Sequence, residues 1–290
     1  MSETRAFQPR RSFIFAPGIR PEMFPKALAS GADIVCIDLE DAIAPRQKAE
    51  ARAKTLALFQ APQADDGVER IVRINCTRTR DGLADVLAIL DAKTPPPAIM
   101  LPKVKAPDEV RALDELFGAH GLATRFHVIV ETNQALEAAQ EIARASGRID
   151  ALFFGGVDMA ADLRVGGDWD SLVYARARLA HAAATAGLDV VDVPYHDLED
   201  IDGMRREAMA AANLGFGGKG AIHPKQIPHL NEIFAPSEAA VAHARRVIAA
   251  FEKGDTGLVV LDGKLIEKPV LRSMHRLVAV ADQIAQRAKG

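Results

Sequence analysis

The feature that most limits what this chain can fold into is a repeat of short apolar runs, each followed by a stretch with helical spacing. RSFIFAPG (11–18), DIVCIDLE (33–40), RIVRIN (70–75), AIMLPKV (98–104), RFHVIVE (125–131), ALFFGGVD (151–158), DVVDVPY (189–195) and FGGKGAIHP (216–224) read as strands. Helix-like segments follow them at 20–30, 45–60, 81–93, 107–120, 133–146, 171–187, 200–215 and 225–234. Continuously apolar strands bounded by turn residues suit a parallel sheet covered by helices. Eight such units predict an α/β fold, a (β/α)₈ TIM barrel over residues 11–234, with a doubly wound open sheet as the alternative. Residues 235–290 fall outside the repeat. They read as a helix (237–252), an extended piece around GLVVLDGKL and a final helix (269–287), together a C-terminal helical extension.

The composition excludes several classes. With 290 residues, 49% of them hydrophobic, the chain can bury a large core. Its 36 Lys and Arg against 39 Asp and Glu give a net charge of -3, which does not favour nucleic acid as a partner. No apolar run approaches the ~20 residues of a membrane span. The first residues, MSETRAFQPR, are polar and lack the apolar stretch of a signal peptide. Two cysteines, Cys36 and Cys76, make no disulfide framework. A reducing cytoplasm is the expected location.

TIM barrels place functional side chains at the C-terminal ends of their strands. Those ends carry Asp38, Glu40 and Asp41, then Arg73 and Asn75, Lys103, Glu131, Asp158, Asp192, and Lys219 with His223. Three acids crowded behind one buried strand are unusual and point to a shared polar rim. Glu131 and Asp158, on neighbouring strands, suit Mg²⁺, which prefers oxygen ligands and takes one or two protein carboxylates. Arg73 is suited to grip a substrate carboxylate with two parallel hydrogen bonds. Asp38, Glu40 and Asp41 would stand behind these groups, orienting Arg73 or holding waters on the metal. The bland reading of any one acid is a structural ion pair at the barrel mouth.

Other motifs are weaker. GFGGKG (215–220) resembles a phosphate loop but has Asn213 and Gly220 where a P-loop needs Gly and Ser or Thr. It reads better as the tight end of strand eight. His223 and His229 lack metal-site spacing and suit capping or surface positions. Zinc-hydrolase and serine-hydrolase motifs are absent from the sequence.

The ordered set RSFIFAPGIRPEMFPKA, DIVCIDLEDAIAPRQKAEAR, VRIN, LPKV, IVET, GGVDMAADL and GFGGKGAIHPKQI resembles the citrate lyase β-subunit-like family of the HpcH/HpaI aldolase superfamily, which includes malyl-CoA and citramalyl-CoA lyases. The likeness runs over nearly the whole chain. It implies a Mg²⁺-dependent barrel that cleaves a carbon–carbon bond in a 3-hydroxyacyl-CoA, giving acetyl-CoA and a 2-oxoacid. By the same resemblance Glu131 and Asp158 are the metal ligands, and Arg73 with Glu131 contacts the substrate. Phe15, Arg20 and Lys26, with the backbone near Ile222 and His223, would meet CoA. The family's catalytic acid/base is an Asp on a C-terminal segment that reaches a neighbouring subunit. Here GKLIEKP places Glu267 at that position, which implies a homo-oligomer, a trimer or a multiple of one. Two alternatives stay open: a pyruvate-type aldolase acting on a free hydroxy-oxoacid, and a citrate lyase subunit that needs an acyl-carrier partner.

Overall fold

A computed structural model describes residues 8–253 and 258–287. The expectation for the N-terminal residues therefore lies mostly outside the described part, as does the start of the GLVVLDGKL piece. Eight parallel strands close into a barrel in sequence order. They are β1 (Ser12–Pro17), β2 (Ile34–Asp38), β3 (Glu69–Arg73), β4 (Ala98–Leu101), β5 (Arg125–Val130), β6 (Ile149–Phe154), β7 (Asp189–Asp192) and β8 (Gly218–Ala221). Around them lie α1 (Met23–Leu28), α2 (Lys48–Leu58), α3 (Arg80–Leu90), α4 (Pro107–Ala119), α5 (Asn133–Glu137), α6 (Ala139–Ala143), α7 (Gly156–Leu163), α8 (Trp169–Ala186), α9 (Ile201–Asn213) and α10 (Ile227–Ile233). The open sheet is thereby ruled out, because β8 pairs with β1 from Ser12↔Lys219 to Ile14↔Ala221.

Both faces of every strand are covered, and this explains the uninterrupted apolar runs. The outer faces and the helices form the large core. The inner faces form a smaller one from residues such as Phe13, Cys36, Ile71, Met100, Ile129 and Phe153. Edge-to-face ring contacts run along it, Phe15 to Phe13 at 5.1 Å, Phe13 to Phe153 at 5.2 Å, and Phe153 to His127 at 5.5 Å. Below them the N-terminal end of the barrel is closed by charge. Arg10 Nε donates to Glu69 at 2.7 Å, a further Arg10 nitrogen meets Asp189, and His127 Nε2 lies 2.9 Å from Glu69.

Burial alone would raise the Glu69 carboxyl, but His127 and Arg10 outweigh it and hold it well below its ordinary 4.5. The stability this gives is fully present above pH ~4.5 and is lost as pH falls through the depressed folded value. Glu69→Gln should cost about 3 kcal/mol at neutral pH, because it strips a partner from a buried charge. The difference from the parent in urea melts should shrink as the pH drops below 4.

Several boundaries differ from the sequence reading. The run ALFFGGVD is not all strand: β6 stops at Phe154 and α7 begins at Gly156, so Asp158 lies in the first turn of a helix. GFGGKG leads into and forms β8 rather than ending it. The expected helix over 133–146 is broken at Ala138 into α5 and α6.

The unit Arg10–Phe234 contains the barrel, and the described residues flanking it in sequence belong to a second compact unit. That unit holds α11 (Glu238–Lys253), an antiparallel hairpin of β9 (Leu258–Leu261) and β10 (Lys264–Glu267), and α12 (Pro269–Arg287). The hairpin replaces the simple extended piece expected here. Asp262 and Gly263 turn it with φ of 52° and 74°, the paired positive values a two-residue hairpin turn requires. Among the described residues no helix is long and apolar enough to cross a membrane.

Candidate active site

At the C-terminal mouth of the barrel the strand ends converge on a cavity of about 260 Å³. Its wall is apolar, with Phe13, Phe15, Met100, Ile129, Phe153 and Val193. Arg73, Asp41, Glu131, Asp158 and His196 supply its polar lining.

Arg73 is the last residue of β3, and its register partner on β2 is Asp38. Adjacent ends of parallel strands put the two side chains together. Nε and Nη2 of Arg73 each donate to one oxygen of Asp38, both at 2.7 Å. Asp38 also accepts from the backbone N–H of Glu40 at 2.8 Å and of Ala42 at 3.0 Å. Lys48 Nζ donates to the carbonyls of Leu39 and Glu40 and ties the same loop to α2. The remaining nitrogen, Nη1, lies 3.2 Å from Glu40 and 3.5 Å from Asp41. The guanidinium also lies 4.5 Å from the centre of the Phe15 ring, a cation–π contact. The three crowded acids thus surround one arginine. This geometry narrows the expectation for Arg73: the Nε–Nη2 edge is committed to Asp38, leaving the Nη1 end for a ligand.

Glu131 follows β5 directly and is buried; Asp158 is half exposed on α7. Lys103 joins them. Its backbone N–H donates to Glu131 Oε1 at 2.5 Å. Its ammonium lies 2.5 Å from Asp158 and 3.4 Å from Glu131 Oε2. Lys103 adopts φ 56°, a left-handed conformation that is uncommon for a residue with a side chain. Burial raises the Glu131 carboxyl against the opposing pull of Lys103. Burial likewise pushes Glu40 up to about 8, only partly offset by Arg73. Glu40 Oε2 is buried without a hydrogen-bond partner.

A hard divalent cation fits these residues. The donors are oxygens, Glu40 Oε2 is buried with the Arg73 ion pair but no hydrogen bond, and an ammonium already occupies the space between Glu131 and Asp158. Glu131 and Asp158 could hold such an ion, with Glu40 behind them.

The remaining candidates divide. Ile222 lines the cavity. Arg20 and Lys26 are exposed, in and just before α1, and do not line it; Arg20 pairs with Glu22 at 3.1 Å. His223 Nδ1 accepts from the N–H of Lys225 and caps the 3₁₀ turn Pro224–Gln226. Glu267 is exposed on β10, in the second unit. Three residues expected on the rim are not there. Asn75 donates twice to Asp85 on α3, at 2.8 and 2.7 Å. Asp192 and Lys219 point outward from the barrel and pair with each other at 2.6 Å and with Arg176 on α8 and Glu207 on α9. The sequence reading had no role for Phe15 beneath Arg73, for the Lys103 bridge, or for Gly155 behind Glu131. The Lys of LPKV was the one visible signal among these.

A family model described as HpcH/HpaI aldolase/citrate lyase matches residues 11–224. The L-malyl-CoA/beta-methylmalyl-CoA lyase of Cereibacter sphaeroides is 35% identical, with 96% of each chain covered. The mitochondrial citramalyl-CoA lyase of Rattus norvegicus is 31% identical over 97% of this chain and 88% of its own. Among solved structures, CitE from Mycobacterium tuberculosis in complex with magnesium, acetoacetate and coenzyme A superposes with a TM-score of 0.75. It is 31% identical, with coverage of 96% of this chain and 100% of that one. A closed barrel with this rim, matched by these relatives over nearly its full length, belongs to the HpcH/HpaI aldolase/citrate lyase family.

Proposed function

We propose that the chain is a magnesium-dependent carbon–carbon lyase acting on a 3-hydroxyacyl-CoA such as malyl-CoA or citramalyl-CoA, which it cleaves to, or forms from, acetyl-CoA and a 2-oxoacid. The observation that carries this reading is Arg73, locked by Asp38, sharing one cavity with the Glu131–Asp158 pair that Lys103 bridges.

Glu131 and Asp158 would hold the ion. When bound, magnesium supplies Lewis-acid polarisation of the substrate's oxygens. Arg73 then has two tasks. Its Nη1 end holds the oxoacid carboxylate, and its charge stabilises the alkoxide left when the substrate hydroxyl loses its proton. That oxygen becomes the oxoacid carbonyl as the carbon–carbon bond breaks, and one proton is returned at the thioester carbon. Asp38 and Phe15 keep the guanidinium in place, so little reorganisation accompanies the reaction. The apolar wall excludes water and strengthens each of these interactions. Phe15, Arg20, Lys26, Ile222 and the backbone at His223 are assigned to CoA, whose phosphates suit the exposed cations outside the cavity.

The thioester enolate left by cleavage needs a proton at carbon, and condensation needs a base at the same carbon. We assign that work to Glu267 of a neighbouring copy in a homotrimer or a multiple of one. The hairpin supports this. Ile266 is buried, whereas Glu267 shares the opposite face with Leu258, Val260 and Leu265, which are 50%, 68% and 62% exposed. An acid set among exposed apolar side chains suits a surface that another copy covers. Glu267→Gln should slow cleavage by about 10²-fold and suppress deuterium exchange at the acetyl-CoA methyl, with oxoacid binding unchanged. Unchanged turnover would reject the assignment.

The reading as a whole is tested by assaying the purified protein with malyl-, citramalyl- and citryl-CoA, with magnesium and after chelation. Metal-dependent release of a 2-oxoacid from at least one thioester is expected. Full activity in chelator, or none with any thioester, would overturn it.

A further inference from the structure

We infer that the 2-oxoacid this site accepts carries a small uncharged alkyl substituent, as pyruvate does, and that a second carboxylate is excluded. This rests on the lyase reading above and concerns the same cavity.

The charges facing the cavity leave little choice. Asp41, Glu131 and Asp158 are the carboxylates that line it, and Arg73 is the one Lys or Arg among its described lining residues. Arg73 commits its Nε–Nη2 edge to Asp38 and has Glu40 and Asp41 beside Nη1. One ligand carboxylate exhausts what remains. Lys103 is not among the residues that line the cavity. His196 lines the mouth but is exposed, so it faces water as readily as a ligand. A second carboxylate would therefore leave water with no lining cation of its own, and it would lie near Asp41, which the ion does not engage. Burying an unpaired charge is among the costliest changes a binding site can impose.

The wall favours the opposite kind of substituent. Phe13, Phe15, Met100, Ile129, Phe153 and Val193 present carbon to the ligand. A methyl group there buries apolar surface that a hydrogen cannot. One methylene discriminates by roughly 10- to 200-fold in such pockets, so pyruvate should also outrank glyoxylate.

Calorimetry in the presence of Mg²⁺ tests this on the parent protein without any acyl-CoA. Pyruvate should bind at least tenfold more tightly than oxaloacetate, and 2-oxobutyrate should lie nearer pyruvate. Equal or tighter oxaloacetate binding would overturn the inference. Val157 and Ile222 line the cavity with 60% and 41% of their surface exposed, so Lys is tolerable at either position. Val157→Lys or Ile222→Lys should narrow the gap by raising oxaloacetate affinity; a gap unchanged in both would remove the electrostatic cause proposed here. Ranked binding without turnover of any thioester would leave this inference standing and bring down the lyase reading. Binding of no oxoacid would bring down both.

Discussion

Arg73→Lys should lower kcat/KM for the thioester by about 10³-fold while the barrel stays folded. Removing one donor from a charge-stabilising site costs ~10²–10³ in rate, and here the change removes more than a donor. A lysine ammonium cannot meet both Asp38 oxygens in the plane that the guanidinium shares with them. Asp38 also receives the amides of Glu40 and Ala42, so its reorientation would loosen the acidic loop as well. The stacking on Phe15 would weaken with the loss of the planar cation. Calorimetry should show oxoacid binding lost and CoA binding kept, and circular dichroism should match the parent. A variant within tenfold of parent kcat/KM would show that Arg73 neither holds the carboxylate nor stabilises the alkoxide.

The second large effect is expected at a residue with no functional group. Gly155 follows β6 with its N–H donating to Val130 at 3.1 Å, which draws its backbone against Glu131. A Cβ there would lie 2.3 Å from Glu131 Cβ, 2.9 Å from its Oε2 and 3.0 Å from Ile129 Cγ2. Ordinary carbon contacts are ~3.5–4.0 Å, and rotation of the side chain does not move a Cβ, so the backbone that carries Glu131 must shift. The backbone at Gly155, φ -92° and ψ 73°, is not left-handed, so the effect is one of contact between side chains. Gly155→Ala should weaken Mg²⁺ binding 10- to 100-fold, as changes behind metal ligands do, and cut turnover by about 10²-fold. Metal titration by calorimetry and steady-state kinetics would report the two losses. Parent-like metal affinity would show that Glu131 has room to move and is no essential ligand.

The barrel was legible because eight apolar runs alternate with helical spacing and little else satisfies such a pattern. Arg73, Glu131 and Asp38 were legible for a related reason: charges at the ends of buried strands have few places to go. What could not be read was which way a residue faces. A strand covered on both sides shows no alternation of polar and apolar residues. Asp192 and Lys219 therefore resembled rim residues, although Val191 takes the inward place and these two pair with helices outside. Asp158 followed an apolar run and passed for a strand residue; the helix that carries it is capped by Gly155 and begins at Gly156, and glycines are not helix-forming signals. Gly155 and Lys103 matter through contacts with Glu131, 24 and 28 residues away, and no local pattern encodes such approaches.

The packed interior of the barrel has a kinetic consequence. Phe13, Met100, Phe153 and His127 fill the space beneath the cavity, and the Arg10–Glu69 lock closes the end below. The site is a vessel with a floor, so traffic passes through its mouth alone. On the proposed reading the small oxoacid would lie deep against Arg73, with the bulky thioester above it. If the chain is the proposed lyase, the oxoacid should enter first and the acyl-CoA second in synthesis, and acetyl-CoA should depart before the oxoacid in cleavage. The oxoacid product should then inhibit cleavage competitively against the hydroxyacyl-CoA, and acetyl-CoA non-competitively. The reverse pattern would mean that the smaller molecule escapes past the larger one.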